Sequence, residues 1–154
     1  MTSVVRSFAI ASVMLMLAGV HGASAQIISP VEFTTTFPFA VGNTTVPAGS
    51  YTITPDIDNP SILELTGKGM SVFFQVDATQ APDRSPKTEV VFKRYGNGYV
   101  LKDIWMEGDR AGAETLTLEA ENHLSKRSGK ATEHRVAALK KPSATTASAT
   151  SGKR

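Results

Sequence analysis

The stretch TEVVFKRYGNGYVLKDIWM, residues 88–106, constrains this chain more than any other. Two runs of strand-forming residues flank Asn97-Gly98, and both turn residues tolerate the positive φ that a type I′ hairpin requires. An antiparallel hairpin is expected here. With Asn97 and Gly98 as the loop, Tyr95 faces Val100, Lys93 faces Lys102 and Val90 faces Trp105. Side chains alternate along a strand, so Val90, Phe92, Arg94, Leu101, Asp103 and Trp105 share one face. Opposed lysines repel when desolvated, which predicts that the Lys93 and Lys102 face is wet and the Trp105 face looks inward. Arg94 and Asp103 are diagonal neighbours in this register and are expected to pair, as a structural bridge or as part of a pocket.

Similar period-two patterns recur along the chain. Phe33, Thr35, Phe37, Phe39 and Val41 alternate with polar residues and predict a strand over residues 31–41, at an edge or bulged at Pro38, which lacks an amide donor. Short strands follow at residues 44–46 and 50–54, separated by the turn chemistry of Pro47-Ala48-Gly49. Residues 61–65 and 70–76 read as a second hairpin around Gly67-Lys68-Gly69. Asp56 and Asp58 lie in a turn-rich loop, where Asx turns are favoured over a calcium loop, which needs more oxygen ligands. Residues 77–87 carry Pro82, Asp83, Arg84 and Pro86 without periodicity, and a loop of this length is a candidate for specificity.

Beyond the central hairpin, residues 107–112 read as a polar loop and residues 115–118 as a further strand. Residues 118–127 place Glu119 and Glu121 early and Lys126 and Arg127 late, as a helix dipole favours, with Gly129 as the stop. Residues 132–139 fit a strand or a helix about equally. From residue 142 the chain is Ser, Ala, Thr and Gly ending in Lys153-Arg154, which predicts a disordered tail.

At the start, Arg6 precedes an apolar run over residues 8–20 and the small residues Ala23-Ser24-Ala25. This is the pattern of a secretory signal peptide cleaved after Ala25, and the run is too short for a membrane span, which needs about 20 apolar residues. The expected organisation is a signal peptide over residues 1–25, one β-rich domain over 26–141 and a tail over 142–154. Cysteine is absent, so disulfides and thiolate chemistry are excluded. A secreted or periplasmic product stabilised by packing alone is expected. Residues 26–122 hold 13 acids against 7 bases, and residues 123–154 hold 8 bases against Glu133 alone. A basic tail of this kind keeps a chain solvated or touches anionic surfaces weakly. Specific nucleic-acid binding is not expected.

Many short strands with hairpin turns and no βαβ rhythm predict an all-β fold, an antiparallel β-sandwich or small β-barrel with one short C-terminal helix. Phe33, Phe37, Phe39, Tyr51, Phe74, Phe92 and Trp105 are its expected aromatic core. The segments FPFAVGNTTVPAGSYTI and VVFKRYGNGYVLKDIW together resemble a group of small secreted bacterial proteins of acidobacterial type. That resemblance implies a secreted β-rich fold and assigns no site. The candidate binding residues are Arg94, Asp103 and Trp105 on the hairpin, with Asp83 and Arg84 on the 77–87 loop. No catalytic, metal-ligating or cofactor-binding constellation stands out. A non-enzymatic binding or envelope-associated module is therefore the leading expectation, ahead of a small periplasmic hydrolase or an anionic-surface binder acting through the tail.

Overall fold

Alternation of apolar and polar side chains carries most of the described chain into strands. The computed structural model describes residues 29–116 and 118–142, so the expected signal peptide and residues 143–154 of the expected tail lie outside the described residues. In chain order the strands are β1 (Val31–Thr35), β2 (Phe39–Val41), β3 (Thr44–Val46), β4 (Gly49–Pro55), β5 (Ile62–Gly67), β6 (Met70–Gln80), β7 (Glu89–Tyr95), β8 (Gly98–Trp105), β9 (Ala111–Thr115) and β10 (Thr132–Lys140). A helix, α1 (Leu118–Ser128), precedes β10 and stops at Gly129, whose φ of 73° ends it.

Eight strands close into an antiparallel barrel in the order β8, β7, β10, β1, β4, β5, β6, β9, and pairing of β9 with β8 shuts the ring. The barrel, of the two architectures expected, is the one formed. The β2–β3 hairpin lies beside it, with β2 joined to β8 by a parallel bridge at Ala40 and Val100. Among the described residues no helix is long and apolar enough to cross a membrane.

The strand expected over residues 31–41 is split. β1 is hydrogen-bonded on both sides, to β10 and β4. Such a central strand has no place for a proline that cannot donate, and the chain leaves the barrel wall between β1 and β2. Residues 132–139, open between strand and helix, form β10. β6 runs on to Gln80 because residues 76–80 pair with β9, leaving a shorter loop at residues 81–88. The strand expected at residues 115–118 falls instead at Ala111–Thr115.

Inside the barrel, Phe33, Phe39, Tyr51, Phe74 and Phe92 are buried with a ring of aliphatic residues. Phe92 lies at the centre, with ring centroids 6.1 Å from Phe33, 5.3 Å from Phe37 and 5.1 Å from Phe39. An eight-stranded barrel is just wide enough for side chains to fill its interior, and these rings occupy it. Phe37 sits towards the rim, stacked on Tyr99 at 3.9 Å and edge-on to His134.

The central hairpin forms with a different register. Tyr95 pairs with Gly98, Arg94 with Tyr99, Lys93 with Val100 and Phe92 with Leu101. The turn residues are therefore Gly96 and Asn97, with positive φ at Gly96 only, as in a type II′ turn. A bulge at Lys102 then shifts the pairing to Val91 with Asp103 and Glu89 with Trp105. The bulge lets both Leu101 and Ile104 face the core, three residues apart, and adds the local twist that barrel closure requires. Its consequence is that Trp105 and Asp103 point outward, not inward. Lys93 and Lys102 do not oppose each other; Lys93 pairs with Glu121 of α1 and Lys102 with Glu114 of β9.

Helix α1 is clamped to the outside of this hairpin. Glu121 accepts hydrogen bonds from Lys93 and from the Tyr95 hydroxyl, the latter at 2.8 Å. Burial alone raises Glu121, but the hydrogen bonds from Lys93 and Tyr95 outweigh it and hold the carboxyl below its ordinary value. Burial and the Glu121 carboxylate push the Tyr95 phenol up to about 12. A depressed carboxyl contributes stability above its unfolded pKa that is lost as pH falls through the folded value. A raised phenol contributes stability that is lost as pH climbs from its ordinary 10.0 towards about 12. Glu121→Gln is thus expected to remove about 1 kcal/mol at neutral pH and to flatten the acid limb of stability. Tyr95→Phe should flatten the alkaline limb. Melting curves of the three proteins across pH check this, and parallel limbs in all of them contradict it.

Candidate functional site

The crossover from β6 to β7 builds the candidate site. These strands are not neighbours, since β9 and β8 lie between them, so residues 81–88 must pass across the end of the sheet. That segment is bonded to the β8–β9 turn along its length. Ala81 N donates to Arg110 O at 2.9 Å, Ser85 N to Asp109 O at 2.8 Å and Gly108 N to Ser85 O at 2.9 Å. Arg84 Nη1 donates to Gly108 O at 2.8 Å, and Arg110 donates to Pro82 O. The expected specificity loop is therefore a fixed wall, with its own Ser85 and Thr88 side chains buried.

Between this wall and the outer face of the sheet lies a cleft of about 410 Å3. Strand register explains its floor. Asp103 on β8 faces Val91 on β7 and Glu114 on β9, and Val91 faces Arg135 on β10. One step along, Trp105 faces Glu89 and Gly112. A Cβ at Gly112 would lie 2.6 Å from the Trp105 ring, so only glycine lets the indole lie across β9 there.

Of the five residues singled out from sequence, Asp83, Arg84, Asp103 and Trp105 line this cleft together. Arg94 does not. It is exposed near the turn, donates from Nε to Gly96 O at 2.9 Å and sits 5.7 Å from the Tyr99 ring centroid. The expected pairing of Arg94 with Asp103 is replaced because the altered register and the bulge separate them. Glu89, Glu133 and Arg135 complete its charged lining and were not singled out. Glu89 carried one signal, an acid immediately before the apolar run of Val90, Val91 and Phe92. Glu133 and Arg135 carried none, because their strand was itself ambiguous.

The electrostatics are uneven. Arg135 is held between two carboxylates, donating to Glu89 Oε1 at 2.5 Å and to Glu133 Oε2 at 3.0 Å, and the Glu133 and Glu89 bonds raise it further. Glu89 is only 3% exposed, and its Oε2 lies 3.4 Å from Lys87 Nζ without a hydrogen bond. Burial pushes the Asp103 carboxyl above its ordinary value, against the pull of Lys102 and with Glu133 adding repulsion. The Asp103 and Asp83 carboxylates accept no hydrogen bond from the described residues.

The remaining sequence features are accounted for locally. Asp56 Oδ1 accepts from the amides of Asp58 at 2.9 Å and Asn59 at 2.8 Å, the Asx turn expected there. His134 packs against the Phe37 and Tyr99 rings, and His123 lies exposed on α1. Among the described residues no three histidine or acidic side chains converge to hold a metal ion. Compared with protein-family models, curated proteins and solved structures, the chain gives no match.

Proposed function

We propose that this protein is a secreted or periplasmic, non-enzymatic binding module whose ligand site is the cleft between residues 81–88 and the β10–β7–β8–β9 face. The leader pattern ending at Ala25 supports an exported chain. The observation that carries the binding reading is the strapped crossover. Because residues 81–88 are hydrogen-bonded to the β8–β9 turn, the concavity exists before any ligand arrives. Its lining mixes an indole with partly desolvated charges, the composition of a recognition site, while aromatic side chains occupy the barrel interior.

A fragment screen by amide NMR tests this reading. Hits from any chemical class should shift the amides of residues 81–86, 103–105 and 133–135 together. Hits that map consistently to another surface, or a screen that moves none of these amides, would sink it.

A further inference from the structure

We infer that the cleft binds an organic cation, with an ammonium or guanidinium head seated between Trp105 and the Asp103 carboxylate. This rests on reading the cleft as a ligand site. Four carboxylates (Asp83, Glu89, Asp103, Glu133) and two guanidinium groups line it. Both guanidinium groups already have partners, Arg135 between Glu89 and Glu133 and Arg84 on the Gly108 carbonyl. The unmet capacity is therefore negative. The Asp103 and Asp83 carboxylates accept no hydrogen bond from the described residues, whereas the almost fully buried Glu89 is already paired with Arg135 through Oε1 and with Lys87 through Oε2.

Three further observations narrow the ligand. An indole face attracts a cation through its ring quadrupole, and Trp105 lies two residues beyond Asp103 on the same outward face of β8. A bare metal ion does not fit, because no three acidic or histidine groups converge among the described residues. The volume of about 410 Å3 suits a small amine or one basic side chain with its flanking backbone. A carboxylate kept on a desolvated floor also gains from an arriving cation, which replaces the hydration it has lost.

Trp105 is the one tryptophan in the chain, so its fluorescence reports the cleft directly. Spermidine, agmatine and a capped arginyl peptide are titrated into the purified protein beside glucose and citrate, with sodium chloride matching ionic strength. At least one cation should change the emission saturably, at concentrations about tenfold or more below any effect of glucose or citrate. Asp103→Asn should weaken that binding by about tenfold or more, with melting temperature unchanged or raised. Asp103→Glu, which keeps the charge, should retain most of the affinity. Tighter binding of the free amines or of the arginyl peptide identifies which source carries the head group. Saturation by glucose or citrate with inert cations overturns the cation assignment and leaves the cleft as a ligand site. Cation binding that Asp103→Asn leaves intact overturns it as well. Silence of Trp105 to all five probes does the same, and the NMR screen then decides separately whether the cleft binds anything.

Discussion

A chain ending at Lys130, without β10, is expected not to fold. β10 fills the gap between β1 and β7, pairing with residues 31–33 on one side and residues 89–94 on the other. Its loss opens the ring into a sheet with two long unpaired edges, which are templates for aggregation. Val136 and Ala138 leave the packing around the core, and the buried Glu89 loses Arg135. Arg135 is half exposed and Lys87 stays beside Glu89, so this loss alone costs about 1–3 kcal/mol, and it adds to the lost strand pairing and packing against the roughly 5–15 kcal/mol that holds a small domain together. A chain ending at Pro142 retains every strand described and serves as the control. Circular dichroism melting and size-exclusion chromatography read the outcome. A cooperative melt and monomeric elution of the shorter chain would show that β10 is an accessory and not a closing element.

Phe92→Ala is expected to destabilise the protein by about 3–5 kcal/mol in denaturant unfolding. The side chain is fully buried and its ring touches Phe33, Phe37 and Phe39, so truncation leaves a cavity that no single neighbour can fill. Phe92→Leu keeps most of the volume and should cost less than about 1.5 kcal/mol. The contrast between the two variants separates central packing from mere hydrophobicity at this position. Equal midpoints for both would place the core elsewhere in the barrel.

The elements whose signal is local were legible from residues alone. Turn chemistry and alternation place strands over residues 50–54, 61–65 and 70–76 with Tyr51 and Phe74 in the expected core, and both are buried. Ordered charges and Gly129 predicted α1 to within a residue of its observed end. What failed depended on neighbours distant in sequence. β10 looks weak because four of its first five residues are charged, polar or small, yet two flanking strands supply hydrogen bonds to it. Ala111, Gly112 and Ala113 look like loop, but Ala113 packs in the core and Gly112 lies beneath Trp105. The inward placement of Trp105 followed from unbroken alternation, and the bulge at Lys102 reverses it. A bulge that serves barrel closure leaves no mark in a single strand's composition. Residues of the cleft were recognisable where a loop or hairpin drew attention to them, and missed on β10, whose position is set only by the closed ring.

The insertion of the final strand between the first barrel strand and β7 also sets a clock. A chain emerging from its N-terminus, from a ribosome or through a translocation pore, can form the β4–β5–β6 meander and the β7–β8 hairpin from contacts close in sequence. It cannot complete the wall until residue 140 is free to reach back to Val31. Pairing over such separations is slow, because the loop must close before its contacts reward it. The ring therefore stays open until β10 has emerged and closes with that strand.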